Sequence, residues 1–398
     1  MKTLTKERHQ LSENVLCIVH PNKFVYSETF IQAHIKRLPV KKEILYGGHM
    51  PTHSTNDQPL LSEGVAPRMR RAILRRLLPL PSGHFHNEAL KSFFRKNNVN
   101  VVLAEYGQTG LAVLNACLET SIPLVVHFHG FDAFDQRVVD ELGQYYPRLF
   151  EQSSSIVAAS KSMRDRLVEL GAPAGKISVN PYGVDTSLFM SADTVPVQPT
   201  FVSVGRFVDK KAPHLTLLSF KQALEQHANA RLVMVGDGEL LEACKQMAKA
   251  LGISSSVQFL GVCNPSEIAV LLRSATAFVQ HSIRTSYGDS ESLGVVFLEA
   301  GASGLPVIAT RHDGIPEVVL DGETGFLVEE GNIDEMAERM IRLIRNPDLA
   351  VKLGKAARER IFEQFNMEKS INNLWNIISR TIEQYRERNN THSLSDEL

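Results

Sequence analysis

The stretch SYGDSESLGVVFLEAGASGLPVIAT, residues 286–310, puts two carboxylates where a ligand could use them. Glu291 and Glu299 stand eight residues apart and flank a Ser-Leu-Gly turn that opens a helix. Gly294 lets the backbone approach a bound group, and a new helix N-terminus offers free N–H groups to an anion. Such a turn suits a pyrophosphate. Glu291 ahead of the helix and Glu299 inside it are then placed to accept hydrogen bonds from hydroxyls. Two isolated glutamates read equally well as solvated helix charges.

A second set lies in SVGRFVDKKAPH, residues 203–214. An apolar strand runs out at Gly205, followed by Arg206 and, five residues on, Lys211. Cations at the carboxyl end of a strand sit where open α/β sheets bind ligands. A diphosphate is their natural partner, since arginine makes a forked contact and lysine a point-charge one. Lys210 reads as an incidental surface lysine. A third set, PLVVHFHGFD (123–132), supplies His127, His129, Gly130 and Asp132. The two histidines share side-chain parity on a strand, so both could face a cleft. A zinc pair is one reading, but no third ligand of suitable spacing accompanies it. Hydrogen bonding by His129 near a bound substrate is another, and His127 reads equally as a satisfied core histidine.

The elements that must position these residues alternate regularly. VLCIVH (15–20), VVLAEY (101–106), PLVVHFH (123–129), SIVAAS (155–160) and ISVNPYG (177–183) are strand candidates in the first half. TFVSVGR (200–206), ARLVMVGDG (230–238), VQFLG (257–261), TAFVQHS (276–282), LPVIATR (305–311) and GFLVEEGN (325–332) repeat the rhythm. Helical patterns fall between, as at Ala212–His227, Leu240–Leu251 and Asp334–Arg345. Continuous apolar strands separated by helices are what a parallel sheet covered on both faces requires. Two such series predict an α/β protein of two doubly wound, Rossmann-like domains, residues 1–190 and 191–366. Their boundary falls in the Pro/Thr-rich MSADTVPVQPT that ends at Thr200. Residues 367–398 follow the last strand and begin with Ile371, Leu374, Trp375, Ile378 and Ile382 on one helical face. This helix is expected to pack back across the first domain.

Bulk properties narrow the class. With 398 residues there is room for two ordinary cores, and 43% hydrophobic with 22% charged residues is globular composition. A formal net charge of -1 provides no global field for nucleic acid. Cys17, Cys117, Cys244 and Cys263 lack metal or redox spacing and read as reduced and buried. The polar start MKTLTKERHQLSEN and the lack of any run of about 18–20 apolar residues lead to a cytoplasmic expectation, at most peripheral at the inner membrane face.

Taken in order, NPYGVD (180–185), GRFVDKK, VGDG (235–238), FLG (259–261), the 291–299 glutamate pair and GIPEVVLDGETGFLV (314–328) resemble the family 4 retaining glycosyltransferases of the GT-B fold. The resemblance is strong over 179–331 and traceable from about residue 100. It implies a cleft between the two domains in which a nucleotide-diphosphate sugar donates a hexose-type sugar to an acceptor hydroxyl. By the same resemblance, Arg206 and Lys211 after Gly205 hold the donor diphosphate and stabilise its developing charge. Glu291 and the backbone N–H groups of Ser292, Leu293 and Gly294 position the sugar and phosphate. Glu299 accepts the ribose hydroxyls, backbone around Val262 meets the nucleobase edge, and His129 in His-Gly-x-Asp contacts the sugar. The DGETGFLV segment would shape the cleft wall. Retention of anomeric configuration is implied, and no metal is expected, because fixed cations and a helix N-terminus can absorb the leaving charge.

One departure bears on the acceptor. The segment after the first strand, HPNKFVYSETFIQAHIKRLP (20–39), lacks the glycine-rich loop of many members. SETFIQAHI resembles a subset acting on bacterial polysaccharide (colanic-acid-type) or lipid-linked acceptors, and Ser27-Glu28-Thr29 also reads as a helix cap. APRMRRAILRRLLPLP (66–81) sets Arg68, Arg70, Arg71, Arg75 and Arg76 among apolar residues. It reads either as an ordinary amphipathic helix or as a segment touching an anionic membrane. Two other functions compete with sugar transfer: a different GT-B enzyme such as an epimerase, and a catalytically degenerate nucleotide-sugar-binding protein.

Overall fold

The computed structural model describes residues 14–395 apart from 24, 25, 27, 79 and 192–195, with side chains as far as residue 388. The first sheet comprises β1 (Val15–Val19), β2 (Lys41–Tyr46), β3 (His53–Ser54), β4 (Gln58–Pro59), β5 (Val101–Glu105), β6 (Leu124–Phe128), β7 (Ser155–Ala158) and β8 (Ile177–Val179). Their order is β4-β3-β2-β1-β5-β6-β7-β8. Every pairing is parallel except β2–β3 and β3–β4, so β3 alone runs against the rest. All five residues of β1 are buried, as a strand with helices on both faces demands. β2 was not among the expected strands. It begins on Lys41, Lys42 and Glu43 and is buried only at its end, so it carries no apolar run to mark it. ISVNPYG contributes only Ile177–Val179 to the ladder.

The second sheet contains β9 (Thr200–Val204), β10 (Arg231–Val235), β11 (Val257–Gly261), β12 (Ala277–Gln280), β13 (Val307–Thr310) and β14 (Gly325–Val328). It is parallel throughout, in the order β11-β10-β9-β12-β13-β14. Strand order reverses at β9 and β12. Connections diverge there, leaving a crevice at the carboxyl ends of the two strands.

The last helix, Met367–Ser395, leaves the second half and covers a face of the first sheet. Ile371, Leu374, Ile378 and Ile382 share one cluster with Leu16, Ile18, Leu103, Val125 and Val157. Burying each such side chain stabilises by about 2 kcal/mol, so this face holds the halves together by several kcal/mol. The crossing is pinned where Val184 donates its N–H to Phe365 O at 2.9 Å and Met367 donates to Val184 O at 3.1 Å. Cys17, Cys117 and Cys244 are buried and Cys263 is half-buried, all as free thiols. Among the described residues, no helix is long and apolar enough to cross a membrane.

Candidate active site

The crevice at the β9–β12 switch point gathers the charged residues of the second half. Beyond β9, Gly205 donates its N–H to Val235 O at 2.9 Å. A Cβ there would lie 3.1 Å from Gln280 Oε1 and 3.8 Å from the Lys211 chain, so glycine keeps this recess open. Arg206 is exposed, and its guanidinium has no hydrogen bond or ion pair among the described residues. Lys211 ends a short turn, Asp209–Lys211, that leads into the helix Pro213–Gln226. Its ammonium pairs with the Glu291 carboxylate, and the two side chains are only 14% and 13% exposed. Burial pulls the Lys211 pKa down. Burial pushes Glu291 up, but the charges of Lys211 and Lys210 outweigh it and leave the carboxyl below its ordinary value.

Glu291 is also held through its backbone. Its N–H donates to His312 Nε2 at 3.1 Å, while His312 Nδ1 meets the Glu330 carboxylate. That arrangement makes Nδ1 the protonated nitrogen when the ring is neutral. The helix Val295–Ala302 then starts from Gly294, whose φ of +79° is strained for any side chain. Ser292 Oγ, Ser290 Oγ and Gln280 Oε1 are buried with no hydrogen-bond partner. Glu299, half-buried one turn inside the helix, has no partner for its carboxyl among the described residues, and burial pushes its pKa up to about 8.

Across the crevice, the first half presents the His-Gly-x-Asp loop. Asp132 accepts N–H groups from His129 (3.0 Å), Gly130 (2.9 Å) and Gly107 (2.9 Å), which fixes the loop on β5 and β6. Gly130 has φ +131°, and a Cβ there would come 3.1 Å from Ser292 Cβ, so the loop abuts the turn of the other half. His129 is engaged on both ring nitrogens, with Nε2 2.8 Å from Glu105 Oε2 and Nδ1 2.8 Å from Tyr182 Oη. Phe30 stacks on Tyr182 and lies tilted against His129, both at 4.5 Å between ring centroids. The halves also meet where Gln136 donates to Tyr287 O at 2.7 Å and the Arg137 guanidinium lies 3.7 Å over the Tyr287 ring. Glu317 accepts the N–H groups of Lys161 (3.0 Å) and Ser162 (3.1 Å), capping a first-half helix from the second half.

Residues 191–360 match the glycosyl transferases group 1 family and residues 48–188 match glycosyltransferase family 4. The chain belongs to the family 4 glycosyltransferases. Among curated relatives it is similar to the amylovoran biosynthesis glycosyltransferase AmsK of Erwinia amylovora, 28% identical over 71% of this chain and 70% of the relative. WcaL of Escherichia coli K12, a protein assigned to colanic acid biosynthesis, is 28% identical over 68% of each chain. The solved structure of Anabaena HepE in complex with UDP and glucose matches with a TM-score of 0.71 at 17% identity, covering 92% of this chain and 99% of that one. That likeness shows the GT-B fold.

Within this glycosyltransferase, Gly205, Lys211, Glu291, Ser292, Leu293 and Gly294 come together at the switch point, with Arg206 at its rim and Glu299 in the following helix. Val262 follows β11 and is 50% exposed. Lys210 is not an incidental surface lysine. It is 11% exposed, pairs with Asp289 at 2.9 Å and donates to Ser290 O at 3.3 Å, tying the Glu291 loop down. His127 is in the core but is not satisfied, since neither ring nitrogen has a hydrogen-bond partner. Glu28 sits at the N-cap of the helix Thr29–Arg37 without capping it, and Ser27 lies outside the described residues. The Glu28 carboxylate instead accepts from Tyr106 Oη and Asn22, both at 2.9 Å. Glu105, Tyr182, His312, Glu330 and Glu317 escaped the sequence reading. Only Tyr182 and Glu317 carried a signal, inside NPYGVD and GIPEVV.

Proposed function

We propose that this glycosyltransferase transfers a hexose-type sugar from a nucleotide-diphosphate donor to an acceptor hydroxyl in polysaccharide or glycolipid biosynthesis, with retention and without a metal in the donor chemistry. The observation that carries it is the convergence of Arg206, Lys211 and the Ser292–Gly294 turn on one crevice whose buried polar atoms lack partners. Breaking the anomeric carbon–oxygen bond leaves the electron pair on the donor diphosphate. Two fixed cations and a helix N-terminus absorb that charge, a role a metal fills elsewhere. Glu299, its carboxyl raised and unpaired, takes the ribose hydroxyls. The ring nitrogens of His129 are given to Glu105 and Tyr182, so we assign His129 to shaping the sugar pocket through Gly130 unless Tyr182 releases Nδ1. Retention would come from acceptor attack on the face the diphosphate leaves.

An acceptor carried on a lipid fits the helix Val65–Leu77, which buries none of its residues. Val65 (76%), Met69 (59%), Ile73 (52%) and Leu77 (72%) are exposed along one stripe beside Arg68, Arg70, Arg75 and Arg76. An apolar stripe edged by cations matches an anionic membrane surface. The test of the enzyme reading is a panel of UDP-, GDP-, ADP- and dTDP-sugars, followed by thermal shift and released nucleotide. One nucleotide family should stabilise the protein and be hydrolysed slowly, with both signals lost in Arg206→Ala and Lys211→Ala. Binding without turnover in the presence of acceptor extracts would leave a nucleotide-sugar-binding protein, and NMR of the product anomer decides retention.

A further inference from the structure

Around His129, four ionisable side chains, its own included, meet from three separate elements in the core of the first half. His34 comes from the helix Thr29–Arg37, Glu105 from the end of β5, and His127 and His129 from the end of β6. His34 Nδ1 lies 2.7 Å from Glu105 Oε1, and His127 Nδ1 lies 3.6 Å from Glu105 Oε2. One ligand atom from each of His34, Glu105 and His127 lies within 4.8 Å of the other two. The His127 ring stands 4.3 Å from that of His129 and 5.4 Å from that of His34, between centroids. His127 and Glu105 are wholly buried and His34 nearly so, at 3%.

Two features of this cluster lack an explanation inside the protein. Neither nitrogen of the buried His127 ring has a hydrogen-bond partner, although buried imidazoles are ordinarily satisfied. A carboxylate with no exposure is surrounded by three imidazoles and no lysine or arginine. We propose that His34, Glu105 and His127 bind a divalent transition-metal ion of the zinc class, with His129 Nε2 or a water completing the coordination.

The donor set suits such an ion: two imidazole nitrogens and one carboxylate oxygen are a common three-ligand zinc set. Tetrahedral ligand atoms at zinc distances stand about 3.3 Å apart, so the present spacing needs only small side-chain rotations. The ion would tie the helix Thr29–Arg37 to the ends of β5 and β6, beneath the loop that bears Gly130. It would position the first-half wall of the crevice and take no part in the departure of the diphosphate, which Arg206 and Lys211 serve from the other half. Sequence spacing offers only the His-x-His pair, because the completing ligands lie far away along the chain.

The test uses the full chain expressed in zinc-supplemented medium, passed over a chelating resin and assayed for metal by mass spectrometry. About one zinc per chain is expected, reduced at least tenfold in His127→Gln and in His34→Gln. The chelated protein refolded with Co2+ alone should give the intense visible bands of a tetrahedral site. This second measurement needs no variant to fold. Wild-type protein without zinc and without cobalt bands would overturn the proposal. So would stoichiometric metal that both variants retain, or an ordered water as the sole partner of His127 in a crystal grown with zinc.

Discussion

Replacing Lys211 with alanine removes a cation that faces two partners in turn: Glu291 in the free protein and the donor diphosphate in the proposed reaction. Removing one member of a fully buried ion pair costs about 3–5 kcal/mol. Here the side chains are 14% and 13% exposed, and Lys210 still bears on Glu291. A loss of about 2 kcal/mol in unfolding free energy is therefore expected. The loss has a pH signature. In the wild type the carboxyl of Glu291 lies below its ordinary value of 4.5, so its stabilising contribution is present above that value and fades as pH falls through the lowered one. In Lys211→Ala burial prevails and raises the carboxyl, which reverses the contribution. The stability gap should be widest near neutral pH and close as pH falls below the ordinary carboxyl value of 4.5. Urea denaturation across a pH series measures it. Turnover, read as released nucleotide, should fall by about 10²–10³, the size of one lost charge-stabilising donor. Turnover within about threefold of wild type would refute the phosphate role, and a gap independent of pH would refute the reading of the Lys211–Glu291 pair.

Glu299→Gln should stabilise the free protein relative to wild type as pH rises. The raised carboxyl of Glu299, about 8 against an ordinary 4.5, makes wild-type stability decline between those values; parallel melting profiles of the two proteins would refute this. The same variant should weaken donor binding by about tenfold, seen by calorimetric titration. Glu317→Ala should lower unfolding free energy by about 1 kcal/mol, because two N–H groups at the start of the helix Lys161–Glu169 lose their acceptor. Full stability by urea denaturation would show that Ser160 alone caps that helix. Changing Arg68, Arg70 and Arg76 together to glutamine should weaken binding to anionic vesicles roughly a hundredfold at low salt, at about 1 kcal/mol per cation. Flotation unchanged by the substitution would remove the membrane contact.

What the sequence by itself determined was what local chemistry decides. The continuous apolar runs VLCIV and LVVHF announce strands covered on both faces, because alternation disappears when neither face meets water. The Glu291 turn and the Gly205–Lys211 segment could be singled out as candidates because each packs its charged residues and glycines into a few positions at one strand end. Strand β2 escaped, its charged first half masking a register set by pairing with β1. Only the tertiary structure decided the rest. His34 meets Glu105 across 71 residues, and Glu317 reaches Lys161 across 156. Lys210 and Lys211 look alike as neighbours, yet one ties down a loop and the other faces the crevice. Which partner a polar side chain finds in the interior depends on the shared burial of distant segments, since a buried charge must be met by whatever the fold brings beside it. No spacing along the chain records that.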